Sequence, residues 1–234
     1  MLAHVLSAAL LGVEAVLIRV EVDVTGGLPL FATVGLPDSA VRESRERVRT
    51  AIRNAGFAFP NERITVNLAP ADLRKEGAAF DLPIALGILT ATGTVRRDGL
   101  GVFAVVGELA LDGQIQPVRG ALAVCLACRS GGIATLLVPL DNAAEAHAVD
   151  GVRVLAAGTL RDAVALLNGE APAVAPPAPE IERVVDDTDL ADVRGQAHAK
   201  RALEIAAAGG HNVLLDWSIP GARYVLTVPL EGGR

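Results

Sequence analysis

Aromatic side chains are scarce: Phe, Trp and Tyr together make up 3% of the 234 residues, with a single Trp and a single Tyr. Interiors built from this chain must be filled by Ala, Val, Leu and Ile, and the usual base-stacking platform for single-stranded nucleic acid is not supplied by composition. Cysteine is nearly absent too. Cys125 and Cys128 form a C-x-x-C pair inside GALAVCLACRSGG, which reads as an Ala-rich helix. Two thiols with no nearby His cannot close a four-ligand zinc site, and redox pairs open helices instead of lying within them. Small core-facing fillers are the expectation. No apolar run is long enough to span a bilayer and no basic leader precedes a hydrophobic one, so a cytoplasmic location is expected. A net charge of −6 argues against coating nucleic acid by bulk attraction, though a local basic patch remains compatible with it.

What is present centres on Arg63 to Thr90. Ile64, Val66 and Leu68 alternate with Arg63, Thr65 and Asn67, the pattern of a half-buried strand. Leu82 to Thr90 is apolar all round and predicts a buried helix, with Asp81 as N-cap and Pro83 in the first turn. The polar loop between them carries Lys75, Glu76 and Gly77, either an ordinary connection or a site at a helix mouth.

Upstream, Val5–Leu11, Ala15–Val24 and Leu30–Val34 read as three strands of an antiparallel meander. Asp38 or Ser39 caps a helix reaching Asn54, with Gly56 as its stop. Val41, Val48 and Ile52 form its core stripe, while Arg42, Arg49 and Arg53 share another face. Those arginines either touch phosphates or form a solvated face in which Glu46 bridges Arg42 and Arg49, and the interleaved glutamates favour the solvated face. Downstream, Asp112-Gly113 marks a hairpin. Helices over 120–130, 142–149 and 159–168 then alternate with strands over 135–138 and 153–156. EAPAVAPPAPE is a linker without periodicity. Boundaries follow: a domain over 1–169, a linker over 170–188, the start of a second module over 189–215 and a tail over 216–234.

VNLAPADLRKEGAAFDLPIALGIL and VGELALDGQIQPVRGALA resemble the N-terminal domain of the Mg-chelatase-like AAA+ ATPases of the bacterial ComM/YifB type. LSAALLGVEAVLIRVEVDVTGGLP and VGLPDSAVRESRERVRTAIRNAGF resemble it as well. DLADVRGQAHAKRALEIAAAGGHNVLL is similar to the start of that family's ATPase module. The resemblance runs from residue 1 to about 215. It implies an α+β fold like the second domain of ribosomal protein S5 and the Lon protease domain, a mixed sheet with packed helices, followed by a fragment of an AAA+ α/β module.

Lon-type peptidases use a serine–lysine dyad. The resemblance places the serine's position on Ala79 and the lysine's on Leu122. A methyl group cannot attack a carbonyl and an isobutyl group cannot take its proton, so no catalytic residue is expected there. Val193, Gly195 and Gln196 match the part of such modules that lies along adenine. ATP and Mg belong to the intact family protein, and tight binding to this chain is not expected, because no G-x-x-x-x-G-K-[ST] loop follows HNVLL. The loss of pattern past Leu215 predicts a frameshifted or decayed tail, and the alternative reading frames of the coding DNA should then encode the missing loop. By resemblance, the complete protein forms homo-oligomeric rings that move DNA branch points in natural transformation and recombination. This domain would add assembly or weak DNA contact through Arg42, Arg45, Arg49 and Arg53. The alternatives are a Lon-like peptidase, disfavoured by Ala79 and Leu122, and a magnesium-chelatase subunit, for which no His or carboxylate cluster looks suited.

Overall fold

The computed structural model describes residues 1–73, 75, 77–96, 103–170, 190–211, 213–219 and 222–228, without the side chains of 42, 190, 214–219 and 222–228. The linker expected over 170–188 and the residues Arg74 and Glu76 therefore lie almost wholly outside the described residues. The chain divides into two units, Met1–Glu180 and Ile181–Arg234.

In the first unit, β1 (Leu2–Leu11) and β2 (Glu14–Thr25) pair antiparallel along their whole length, as the alternating valines predict. Beside β2 lies β4 (Arg63–Ala69), also antiparallel. The expected meander is not formed. β3 (Leu30–Val34) runs parallel to β4 at the sheet edge and does not pair with β2. The reason is the connection: α1 (Ser39–Asn54) crosses between β3 and β4, and a helical crossover returns the chain to make a parallel neighbour. On the other side of β1 come three parallel strands, β5 (Phe103–Val105), then β8 (Thr135–Pro139) and β9 (Arg153–Ala157). The result is a seven-stranded mixed sheet in the order β3-β4-β2-β1-β5-β8-β9, the mixed sheet with packed helices that the resemblance implies. A two-stranded ribbon, β6 (Glu108–Leu109) with β7 (Ile115–Gln116), forms around the Asp112-Gly113 turn.

Helices cover both faces. On one face α1, α2 (Asp81–Ala91) and α5 (Leu160–Leu167) bury Val48, Ile52, Ile84, Leu86, Ile88 and Leu160 against Val20, Val22, Ile64, Val66 and Leu68. On the other, α3 (Ala121–Ser130) and α4 (Ala143–His147) pack Val124, Cys125, Cys128 and Ala146 on Ala8, Ala104, Leu136 and Val138. Both thiols are buried, and burial pushes Cys128 up to about 12, far from a reactive thiolate. Among the described residues no His, Cys, Asp or Glu cluster could hold a metal ion.

The buried helix α2 has only Thr90 incompletely covered. A Cβ at Gly87 would lie 2.5 Å from Val22 Cγ2, so the helix rests almost directly on the sheet. Asp81 is not its cap. The chain enters through a short 3-10 turn, Ala78–Phe80, and the Asp81 carboxylate is spent elsewhere. By contrast Asp38 caps α1 as expected, accepting the Val41 N–H at 2.8 Å, and Thr159 with Asp162 forms a capping box on α5.

In the second unit, α6 (Ala197–Gly209) follows a 3-10 turn, Leu190–Asp192. β10 (Val213–Ile219) and β11 (Ala222–Val228) then pair antiparallel. Among the described residues no helix is long and apolar enough to cross a membrane.

Candidate functional site

The loop at the mouth of α2 is fixed by backbone bonds to the chain entering α1. Asp38 N–H donates to the Lys75 carbonyl at 3.1 Å, and the Gly77 N–H donates to the Asp38 carboxylate at 3.2 Å. Beside this junction opens a groove of about 600 Å³ lined by Ala9, Asp38, Ala79, Glu108 and Arg119 among others. Among the described residues its lining contains no Ser, Thr, Cys, His or Lys. Leu122, in the first turn of α3, is 41% exposed and its N–H donates to the Glu145 carboxylate at 3.0 Å. Lys75, the amine nearest in sequence, is wholly buried and its ammonium donates to the Pro70 carbonyl. Burial lowers its pKa, with Asp72 acting the other way. No nucleophile–base pair can be assembled from these residues.

The helix α1 carries the charge. Arg47, which the sequence pattern did not single out, turns inward: its guanidinium donates twice to the Asp81 carboxylate, at 2.7 and 3.1 Å, and once to the Ala40 carbonyl. Asp81 is fully buried and also receives the Leu109 N–H at 3.4 Å, so one carboxylate ties α1, α2 and β6 together. Burial lifts the Asp81 carboxyl to about 6, although the Arg47 hydrogen bond and charge pull it down.

Arg45, Arg49 and Arg53 turn the other way and line a pocket of about 130 Å³ with Phe31, Phe59, Asn61 and Glu62. The Arg49 and Arg53 guanidinium carbons stand 5.8 and 5.9 Å from the centre of the Phe59 ring, within cation–π reach. Glu46 does not bridge Arg49 as expected. Its carboxylate instead meets the neighbouring Arg45 at 3.0 Å, while the Arg49 guanidinium lies over the Phe59 ring. Among the described residues no carboxylate pairs with Arg49 or Arg53, and Arg49 Nε is buried without a hydrogen-bond partner. The fourth candidate, Arg42, has its side chain outside the described residues. Of the chain's few aromatics, Phe31 and Phe59 had no periodic signal; they come from a strand and a loop that only the tertiary fold brings beside α1.

The sequence matches two family profiles. "Subunit ChlI of Mg-chelatase" covers residues 20–142, and "Magnesium chelatase, subunit ChlI" covers residues 189–224. Competence protein ComM of Haemophilus influenzae is 47% identical over 220 residues, covering 91% of this chain and 43% of that protein. The chain belongs to the Mg-chelatase-like ComM/YifB family. The YifB protein of Salmonella typhimurium is 44% identical over 232 residues, covering 99% of this chain and 46% of its own length. Lon protease 2 of Bacillus subtilis is 24% identical over 163 residues, 62% of this chain and 29% of that protein, in keeping with a Lon-like fold for the first unit. The chain thus spans a little under half the length of the ComM and YifB relatives.

AAA+ members of this family point to nucleotide and Mg use by the intact protein. Val193, Gly195 and Gln196 all lie in the second unit just ahead of α6, and all three are exposed, with Gly195 and Gln196 in the left-handed region.

Proposed function

We propose that this chain is a non-catalytic N-terminal part of a ComM-type motor, and that its first unit contacts DNA while the intact protein moves branch points during transformation and recombination. The observation that carries this reading is the gathering of Arg45, Arg49 and Arg53 on one face, with Arg49 and Arg53 free of acidic partners among the described residues. Residues four apart on a helix have backbones spaced about 6 Å along its axis, so guanidiniums carried on such residues can serve successive phosphates. Support against a peptidase comes from Ala79, which lines the groove, and from the solvent-facing Leu122, which together supply no dyad. Hydrolysis of ATP is assigned to the intact protein and not to these residues, which include no G-x-x-x-x-G-K-[ST] sequence.

The test is DNA binding by the purified chain, followed by fluorescence anisotropy between about 50 and 200 mM salt. Phosphate contacts by three arginines predict a log–log slope near −2. Replacing Arg49 and Arg53 by Gln should flatten that slope by roughly 1.4 for a single strand. A chain that binds no DNA at low salt would defeat the proposal.

A further inference from the structure

The arginine pocket is lined by apolar side chains as well as by charge, and the apolar part is not built for phosphate. Phe31, Phe59 and Ile64 give it an apolar lining, and its volume of about 130 Å³ is of the size of a single heterocyclic ring. Glu62 also lines it, and a carboxylate repels a phosphate while accepting a hydrogen bond from an exocyclic amino group. The Arg49 and Arg53 guanidiniums, pinned over Phe59, present flat faces on which a base can stack. Arg49 Nε, buried and unpartnered, supplies a donor with nothing to receive it.

We propose that this pocket takes one unstacked base of a single DNA strand, with the flanking phosphates on the outer edges of Arg45, Arg49 and Arg53. The proposal deepens the DNA-contact reading and rests on it. A base within a duplex cannot enter, because its faces are covered by neighbours and its polar edge by its partner. Extrusion costs energy that an already unpaired strand does not incur. The domain is thereby assigned a preference for the displaced strand at a branch point. The amino group that Glu62 would receive favours cytosine over thymine.

The decisive comparison uses the wild-type chain and three labelled probes of equal length: a deoxycytidine strand, the same phosphodiester backbone with abasic sugars, and a blunt duplex. The deoxycytidine strand should bind roughly tenfold tighter than either of the others, the size expected for a stacked base. Phe59→Leu, which keeps bulk but removes the ring, and the Arg49→Gln/Arg53→Gln pair should each erase that advantage. Glu62→Gln should reduce the preference for deoxycytidine over thymidine strands. Equal, salt-dependent affinity for the base-containing and abasic strands overturns the base pocket while leaving phosphate contact standing. An acidic peptide such as decaglutamate that binds as tightly as the deoxycytidine strand overturns it in favour of a protein partner. No binding of any strand at low salt removes both readings.

Discussion

Arg47 and Arg49 are two residues apart on α1, yet one is consumed by the fold and the other is left for use. Arg47 reaches inward to a carboxylate with no access to water, whereas Arg49 lies on a phenylalanine ring facing a pocket. Two residues on an α-helix correspond to about half a turn, which is enough to separate an architectural charge from an available one. Charge pattern along a helix therefore says how many arginines there are, and the opposite element decides what each is for.

Removing the inward arginine should do the most damage. Arg47→Ala strips the buried Asp81 of its cation, so that the carboxyl must take up a proton or stand unpaired at pH 7, a loss of about 3–5 kcal/mol in urea unfolding. The matching Arg49→Ala should cost under about 1 kcal/mol. Equal losses for the two would erase the distinction.

Acidity tests the same pair. Asp81 is lifted from 3.8 to about 6 by burial, against the pull of Arg47, with Glu108 adding to the rise. Between those values the folded chain holds a proton that the unfolded chain has released. Rising pH in that window therefore lowers stability, by up to roughly 3 kcal/mol, and the contribution is level above it. Asp81→Asn should abolish this part of the slope, read from unfolding midpoints at successive pH values and compared with wild type.

The groove offers the smallest effect. Ala79→Ser restores a hydroxyl but no base, since Lys75 is held by the Pro70 carbonyl and Leu122 is aliphatic. Stability should change by less than about 0.5 kcal/mol, and casein or a fluorogenic peptide should remain uncut. Cleavage by this variant would mean that a proton acceptor has been overlooked.

Much of this was legible in the residues themselves. The alternation in β4, the all-round apolar run of α2 and the Asp38 cap are local patterns, and each forms where the pattern lies. The pairing of β3 departs from the expected meander, although the helix that follows it is a local sign of a parallel partner. The Asp81–Arg47 contact spans 34 positions and has no periodic trace. Asp81 before an apolar run looks like a cap until a guanidinium from another helix claims it. The pocket was half visible: the arginines share a face by spacing alone, but Phe59 reaches them only through the loop that leads into β4, and composition had argued against any aromatic platform.

Gly87 is a spacer of no thickness between helix and sheet, and it sets the height of everything mounted above. A single added methyl there would have to lift α2 from Val22. Because Asp81 begins that helix and grips Arg47, the displacement would be handed on to α1 and to the outward arginines. The gap between two buried elements thus doubles as the alignment gauge for a surface neither of them reaches.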